Sequence, residues 1–129
     1  MKKILILAAL INMTVFVVNA QKINRPIIEF EWNVYDYDTI MQNNNGMCSF
    51  RFKNTGDAPL IISSTSASCG CTEPEFDSKP VMPGEVGEIK VKYNTSLVGA
   101  FRKTIVVKSN AANQGTSILT IKGYVKKKE

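Results

Sequence analysis

Two of the three cysteines lie one residue apart, in the segment Ser68-Cys69-Gly70-Cys71-Thr72. Thiolates at this spacing can hold a soft metal such as Cu(I), and thiols can form a disulfide or exchange disulfides with a partner. Cysteines can also simply pack as small apolar side chains at the end of a strand. The pattern leaves these four interpretations open. If a metal is bound, we predict Cys69 and Cys71 as its ligands.

The third cysteine, Cys48, restricts these interpretations. Two thiolates do not complete a zinc site, but Cu(I) accepts fewer ligands, and Cys48, Met47 or a second chain could add one. A disulfide between Cys69 and Cys71 would close a very small ring, which we expect to be easily reduced. If the chain forms a hairpin near Gly56, Cys48 lies opposite about residue 64. We therefore expect Cys48 to be the better disulfide partner.

The chain contains no histidine. Histidine is the usual general base near neutral pH and the commonest metal ligand, so Ser-His-Asp and Cys-His catalysis and His-based zinc sites are excluded. The acidic run Glu73, Glu75 and Asp77 fits no Ca²⁺ loop, and Pro74 indicates extended chain. We interpret this run as a solvated loop. We predict a protein that is not an enzyme and has no cofactor.

The first twenty residues differ in composition from the rest. Lys2 and Lys3 precede a mostly apolar run that ends at small Ala20. This order is typical of a secretory signal peptide, and the run is short for a membrane span. We predict a signal peptide over residues 1–20, one domain over 21–129, a secreted or periplasmic location and no membrane span after cleavage.

The formal net charge of the full chain is +5, and cleavage would remove Lys2 and Lys3. Much of the remaining excess is the C-terminal run Lys126-Lys127-Lys128. A short basic end is usually solvated chain, and no other segment mixes clustered basic residues with aromatic ones. We expect no nucleic-acid binding.

Most of the predicted domain consists of short segments in which apolar and polar residues alternate. This period of two is typical of strands with one buried face. Turn signals such as Pro83-Gly84 separate the segments. The clearest strands are expected at residues 28–34, 48–53, 60–62, 86–93, 101–107 and 118–125. About seven such strands predict an all-β fold, an immunoglobulin-like antiparallel β-sandwich.

Two motifs carry a family resemblance. Residues 50–60 read FRFKNTGDAPL and residues 68–72 read SCGCT, and Pro83-Gly84-Glu85 follows. Together they resemble the secreted bacterial family called domain of unknown function (DUF) 1573, over residues 30–125. The resemblance implies an extracytoplasmic sandwich similar to major-sperm-protein and PapD-like folds, and no established reaction. The chain departs from the pattern at Tyr37-Asp38, where a glycine-containing turn is expected, and at Cys48.

These observations favour an exported, non-enzymatic β-sandwich that binds another protein or a cell-envelope component. An open edge strand that accepts a partner strand would be one mode of binding. The alternative is a periplasmic copper-binding or thiol-redox protein that acts through Cys69 and Cys71.

Overall fold

The structure is a computed structural model that describes residues 24–129. The predicted signal peptide lies outside the described residues and stays a prediction. The described part of the chain forms eight β-strands and no helix. The strands are β1 (Ile28–Phe30), β2 (Val34–Met41), β3 (Met47–Asn54), β4 (Ile62–Ala67), β5 (Thr72–Phe76), β6 (Val86–Tyr93), β7 (Gly99–Ser109) and β8 (Thr116–Lys126).

The strands form two four-stranded sheets. The first, sheet A, has the order β1-β3-β6-β5, and the second, sheet B, has the order β2-β8-β7-β4. All pairings are antiparallel except that of β2 with β8, which is parallel. The predicted all-β sandwich is therefore confirmed, with one more strand than expected.

The inner faces of the two sheets form one apolar core. The predicted alternation is confirmed in β3, β6 and β7, whose buried apolar residues are Cys48, Phe50, Phe52, Ile89, Val91, Tyr93, Phe101, Ile105 and Val107. Tyr93 stacks on Phe101 across the two sheets, with ring centroids 3.8 Å apart. The alternation places the apolar residues where both sheets exclude water, and this burial is the main stabilising term of such a fold.

The first predicted strand, residues 28–34, is wrong as one element. After β1 the segment leaves sheet A at Glu31, whose amide donates to the Arg51 carbonyl. β2 then begins in sheet B. Trp32 and Val34, expected on the buried face, are 42% and 41% exposed. The alternation continues through the crossover, so periodicity alone does not reveal that the chain changes sheets.

The predicted hairpin return at residues 60–62 is also wrong. β3 pairs with β1 and β6, whereas β4 lies in the other sheet. Leu60 instead forms an isolated bridge with Val81, in which each amide donates to the other carbonyl. Cys48 therefore lies opposite Val91 of β6 and not opposite residue 64.

Two positions singled out in the sequence, Pro83-Gly84 and Tyr37-Asp38, have distinctive backbone conformations. At Pro83-Gly84 the Glu85 amide donates to the Met82 carbonyl at 2.9 Å and Gly84 has φ 83°, as a type II turn requires. Asp38 has φ 57° at a register shift within β2, and its amide donates to the Asp36 side chain. Where the family resemblance implies a glycine-containing turn, Tyr37-Asp38 thus forms a bulge inside β2, since aspartate tolerates the left-handed conformation.

One buried side chain ties the crossovers together. Asn54 is completely buried, and its Oδ1 accepts hydrogen bonds from the amides of Ile27 and Gly56 at 3.3 and 3.0 Å. Its Nδ2 donates to the carbonyls of Ala58 and Val81 at 2.7 and 2.9 Å. The entry to β1, the turn after β3 and the segment before β6 therefore share one amide group.

We expect Asn54→Ala to lower the free energy of unfolding by about 3 kcal/mol or more, because it leaves several buried backbone groups without partners. Asn110→Ala is the matched control. Asn110 is exposed and also bonds two backbone groups, at Ile61 and Pro59, so its loss should cost about 1 kcal/mol. Urea unfolding of both variants measures the difference, and equal losses would contradict the central role of Asn54.

Candidate functional site

The Cys69-Gly70-Cys71 tripeptide forms the corner where the chain crosses from sheet B to sheet A. β4 ends as the Ser68 amide donates to the Thr104 carbonyl of β7. β5 begins as the Cys71 carbonyl accepts from the Asn94 amide, just beyond β6. Because β4 and β5 are the edge strands of their sheets, the tripeptide closes one side of the sandwich.

A disulfide joins Cys69 and Cys71 within this corner, with the two Cα atoms 5.3 Å apart. The Cys71 amide donates to Cys69 Sγ at 3.3 Å. Cys71 also packs against the apolar core, so the disulfide and packing interpretations both describe part of this corner. Gly70 is exposed, and a Cβ built on it would have no heavy atom within 4 Å. The corner therefore projects into open space on one side and is anchored to the core on the other.

Cys48 is a free, buried thiol that the disulfide does not involve. It pairs with Val91 on β6, and Pro74 of β5 lies on the far side of Val91. Two strand spacings amount to about 10 Å, and the three residues from Pro74 to Cys71 add about 10 Å along the strand. A disulfide needs Cα atoms within about 7 Å. The expectation that Cys48 is the better partner is therefore wrong.

Cys48 forms a polar pair with Tyr37 at the edge of the core. Burial raises the pKa of the Cys48 thiol. Burial, together with the hydrogen bond to Cys48, also raises the pKa of Tyr37, whose hydroxyl donates to the Gly46 carbonyl at 2.6 Å. Both groups are therefore held in their protonated, uncharged forms, and Cys48 is a poor nucleophile.

Glu73 and Glu75, beside the disulfide, lie in edge strand β5 and not in the solvated loop that we predicted, whereas Asp77 follows the end of the strand. Glu73 lies opposite Lys92 and Glu75 lies opposite Lys90 in the pairing of β5 with β6. Opposite charges that face each other across neighbouring strands stabilise the pairing. The sequence around the two glutamates does not reveal this pairing, because the lysines lie 15 and 19 residues further along the chain.

Pro74 protects the edge of β5. Because the Cys71 carbonyl bonds toward β6, the alternation along the strand turns the amide position of Pro74 away from β6. Proline has no amide hydrogen, so the middle of this edge offers no donor to an additional strand. Glu73 and Glu75 add charge to the same edge, which further disfavours strand addition.

The edges of β1 and β2 are protected in other ways. The side chain of Asn113 covers β1, because its Oδ1 accepts from the Ile28 amide at 3.1 Å and its Nδ2 donates to the Ile28 carbonyl at 2.9 Å. β2 carries the bulge at Asp38 and the exposed charge of Asp36. Bulges and charges both discourage edge-to-edge pairing.

β4 has a register shift between Ile62 and Ser64, but the rest of its outward edge lacks a covering side chain, a proline or a charge within residues 24–129. The Ser68 amide bonds to β7, so the amides and carbonyls of Thr65 and Ala67 point away from β7. Among residues 24–129 these four backbone groups have no backbone partner. Neither proline nor a charged residue occurs in Ser63-Ser64-Thr65-Ser66-Ala67. The sequence reasoning missed β4, and this uncharged serine-rich run was its only local signal.

The proposed metal ligands Cys69 and Cys71 are joined to each other here, and thiolates rather than a disulfide bind soft metals. Over residues 24–129 no group of three or more His, Cys, Asp or Glu side chains is placed to hold a metal ion. Metal binding by the reduced pair stays a prediction. Nor does the same stretch include a helix long and apolar enough to cross a membrane.

The disulfide spans one intervening residue, so it contributes little to global stability. Closing so small a loop restricts the unfolded chain by about 1.5 kcal/mol, against about 3 kcal/mol for a 15-residue loop. We expect the variant with both Cys69→Ser and Cys71→Ser to lose at most about 2 kcal/mol and still unfold cooperatively. Urea unfolding measures this, with reduced wild-type protein as the control. Loss of the cooperative transition in both samples would contradict the estimate.

The raised pKa values of Cys48 and Tyr37 give stability a pH dependence. The folded state holds both protons more tightly than the unfolded state. The stabilisation is therefore complete below the unfolded pKa of cysteine, about 8.5, and is lost as the pH rises beyond it. Urea unfolding from about pH 7 to 10 should show a decline that is shallower in Cys48→Ala, whereas Tyr37→Phe should retain it, because the Tyr37 hydroxyl lowers the pKa of Cys48 and tyrosine ionises only at the top of this range. An unchanged slope in Cys48→Ala would contradict the assignment.

Comparison with known proteins places the chain in a family and a fold. The family described as "Protein of unknown function (DUF1573)" matches residues 28–125. No curated protein sequence matches the chain. A Porphyromonas gingivalis W83 protein of unknown function has a similar structure, with a TM-score of 0.71 and 12% identity over 82% of this chain. The chain spans about half of that protein, at 51%.

Two further structures share the fold at low identity. PapD-like domain 7 of human CEP192 has a TM-score of 0.66 and 9% identity, covering 81% of this chain and 89% of that one. The periplasmic chaperone SfaE has a TM-score of 0.54 and 8% identity, covering 79% of this chain and 58% of that one. At these identities the likeness concerns the PapD-like sandwich alone. On the family match, the chain belongs to the DUF1573 family of proteins of unknown function.

Proposed function

We propose that this protein is an exported, non-enzymatic module that binds another protein by adding a partner strand to the edge of β4. The observation that carries the proposal is the outward row of backbone groups on Thr65 and Ala67, which lie beyond the register shift at the start of β4. Strand addition supplies affinity through main-chain hydrogen bonds, and these two residues offer two donors and two acceptors.

The contrast between the four edges is the main support. The side chain of Asn113 covers β1, β2 has a bulge at Asp38, and β5 has no amide donor at Pro74. An open, uncharged edge is a hazard for aggregation, and proteins usually protect such edges. Three protected edges beside β4, which has only a register shift at its start, therefore favour a use for the rest of β4.

The side chains of β4 suit a partner of varied sequence. Ser64 and Ser66 lie on the solvent face, opposite Lys108 and Val106 of β7. Serine side chains are short, so a bulky residue of the incoming strand meets no obstruction there. The partner we propose is an extended, unpaired segment of another exported protein, recognised mainly through its backbone.

Three observations support the remaining parts of the proposal. The charged, apolar and small-residue order of residues 1–20 favours export. The lack of histidine removes the commonest catalytic base. SfaE, which shares the fold, is a periplasmic chaperone, and this agrees with a protein-binding role for a sandwich of this kind.

Thr65→Pro tests the mode of binding, because it transfers the protection found at Pro74 to β4. The Thr65 amide points away from β7, so the variant should remain within about 1 kcal/mol of wild type in stability. A photo-reactive residue in place of Ser66, in the organism that produces the protein, should form an adduct with the partner. Thr65→Pro should reduce the adduct yield about tenfold, because a lost hydrogen bond and a steric clash cost about 1.4 kcal/mol or more.

Thr65→Val is the matched control, since it keeps the β-branched shape and the amide, and it should leave the adduct yield unchanged. A photo-reactive residue in place of Glu75 on β5 should give no adduct. Equal adducts from β4 and β5, or adducts that persist in Thr65→Pro, would contradict strand addition at β4.

A further inference from the structure

We propose that the Cys69–Cys71 disulfide is a thiol-exchange site that takes the cysteine thiolate of another exported polypeptide into a mixed disulfide. This inference goes beyond the proposed function and does not rest on it, because exchange requires access to the corner and not an open edge on β4. It requires one sulfur that a thiolate can reach and one sulfur that stays in place.

The geometry of the corner distinguishes the two sulfurs. Cys71 packs against the apolar core, and the next residue, Thr72, is only 3% exposed. Both cysteines are partly exposed, but only Cys71 is among the described residues that pack against the core, and Gly70 has open space where a side chain would stand. An incoming thiolate therefore approaches Cys69 Sγ, while the core holds Cys71.

The charges near the corner favour an anionic nucleophile. Ser68 bonds to Thr104 of β7, and β7 extends past the end of β4 with Lys103 and Arg102 next to Thr104 on that side. Cationic side chains stabilise thiolates and attract them. The sequence of β7 thus places two cationic residues on the strand beside this corner.

The exchange needs no reactant besides the partner's thiol. The thiolate attacks Cys69 Sγ, a sulfur–sulfur bond forms between the partner and Cys69, and the bond between Cys69 and Cys71 breaks. The electron pair leaves on Cys71 Sγ, which then takes a proton from solvent. Thr72 Oγ1, 3.8 Å from Cys71 Sγ, is placed to donate a weak hydrogen bond to this leaving thiolate.

The reverse step restores the corner. The Cys71 thiolate attacks Cys69 Sγ, the disulfide closes again and the partner leaves as a thiolate. The Cys71 amide, 3.3 Å from Cys69 Sγ, keeps the two residues together in the closed form. Cys48 takes no part, because it is buried and lies two strands away from β5.

Reduced glutathione serves as the probe for the exchange. Wild-type protein incubated with millimolar glutathione and quenched with acid should show one glutathione adduct and one new free thiol by intact mass. Circular dichroism and cooperative unfolding should remain unchanged under the same conditions. A disulfide that opens only when the protein unfolds would overturn the proposal.

Single variants in a Cys48→Ala background identify the attacked sulfur. In Cys71→Ser the remaining thiol is Cys69, and in Cys69→Ser it is Cys71. The Cys69 thiol should react with glutathione disulfide about tenfold faster, because packing against an apolar core slows the reaction of a thiol. Equal rates in the two variants, both folded by circular dichroism, would overturn the assignment of Cys69 as the attacked sulfur.

Thr72→Val provides a readout that a purely structural disulfide would not change. It keeps the shape of the side chain and removes the hydroxyl beside Cys71 Sγ, so opening of the disulfide by glutathione should slow severalfold. Ser68→Ala is the matched control, since its hydroxyl accepts from the Thr104 amide and not from the sulfurs. Slowing by both variants to the same extent would contradict the role given to Thr72.

Discussion

The amide side chain of Asn54 is the interaction on which the rest of the sandwich depends. A sandwich whose strands change sheets must leave backbone groups unpaired at each crossover, and burying an unpaired group costs free energy. Asn54 pairs four such groups from three segments with one side chain. Gly56 lets the chain pass so close that a Cβ there would overlap the Arg25 carbonyl. The path of β1 against β3 is fixed by this packing.

The crossovers at the two sides of the sandwich create its four edges. On one side the chain passes from β1 to β2, and on the other it passes from β4 through the disulfide corner to β5. Protection of an edge needs only one local device, such as a covering amide, a bulge or a proline. Three edges have one, and β4 has only a register shift at its first residues. β4 therefore differs from the other edges by composition and not by position, and its serine-rich sequence is tolerated because the fold does not require side-chain packing there.

The parts of the fold that the sequence predicted are those with a local signal. Alternation located β3, β6 and β7, and the pair Pro83-Gly84 located a turn, because both depend on neighbours in the chain. Whether a strand continues in the same sheet depends on distant residues, so the break at Trp32 and the crossover after Asn54 were missed. The charge pairs of Glu73 and Glu75 with β6 were missed for the same reason. Of the site, the cysteine pair was predicted, whereas the open edge of β4 was not.

The two proposals concern adjacent parts of the molecule, and strand geometry relates them. Residues directly opposite each other in paired strands have Cα atoms about 4.5–5.5 Å apart, which lies within the range of disulfide-bonded cysteines. A strand paired with β4 that continued beyond Ser68 would bring one of its residues to this distance from Cys69. A cysteine at that single position could exchange with the disulfide, whereas one displaced by a residue would point to the other face. Strand binding and disulfide exchange are chemically independent. Both occur together only when the register of the bound strand places a cysteine opposite Cys69.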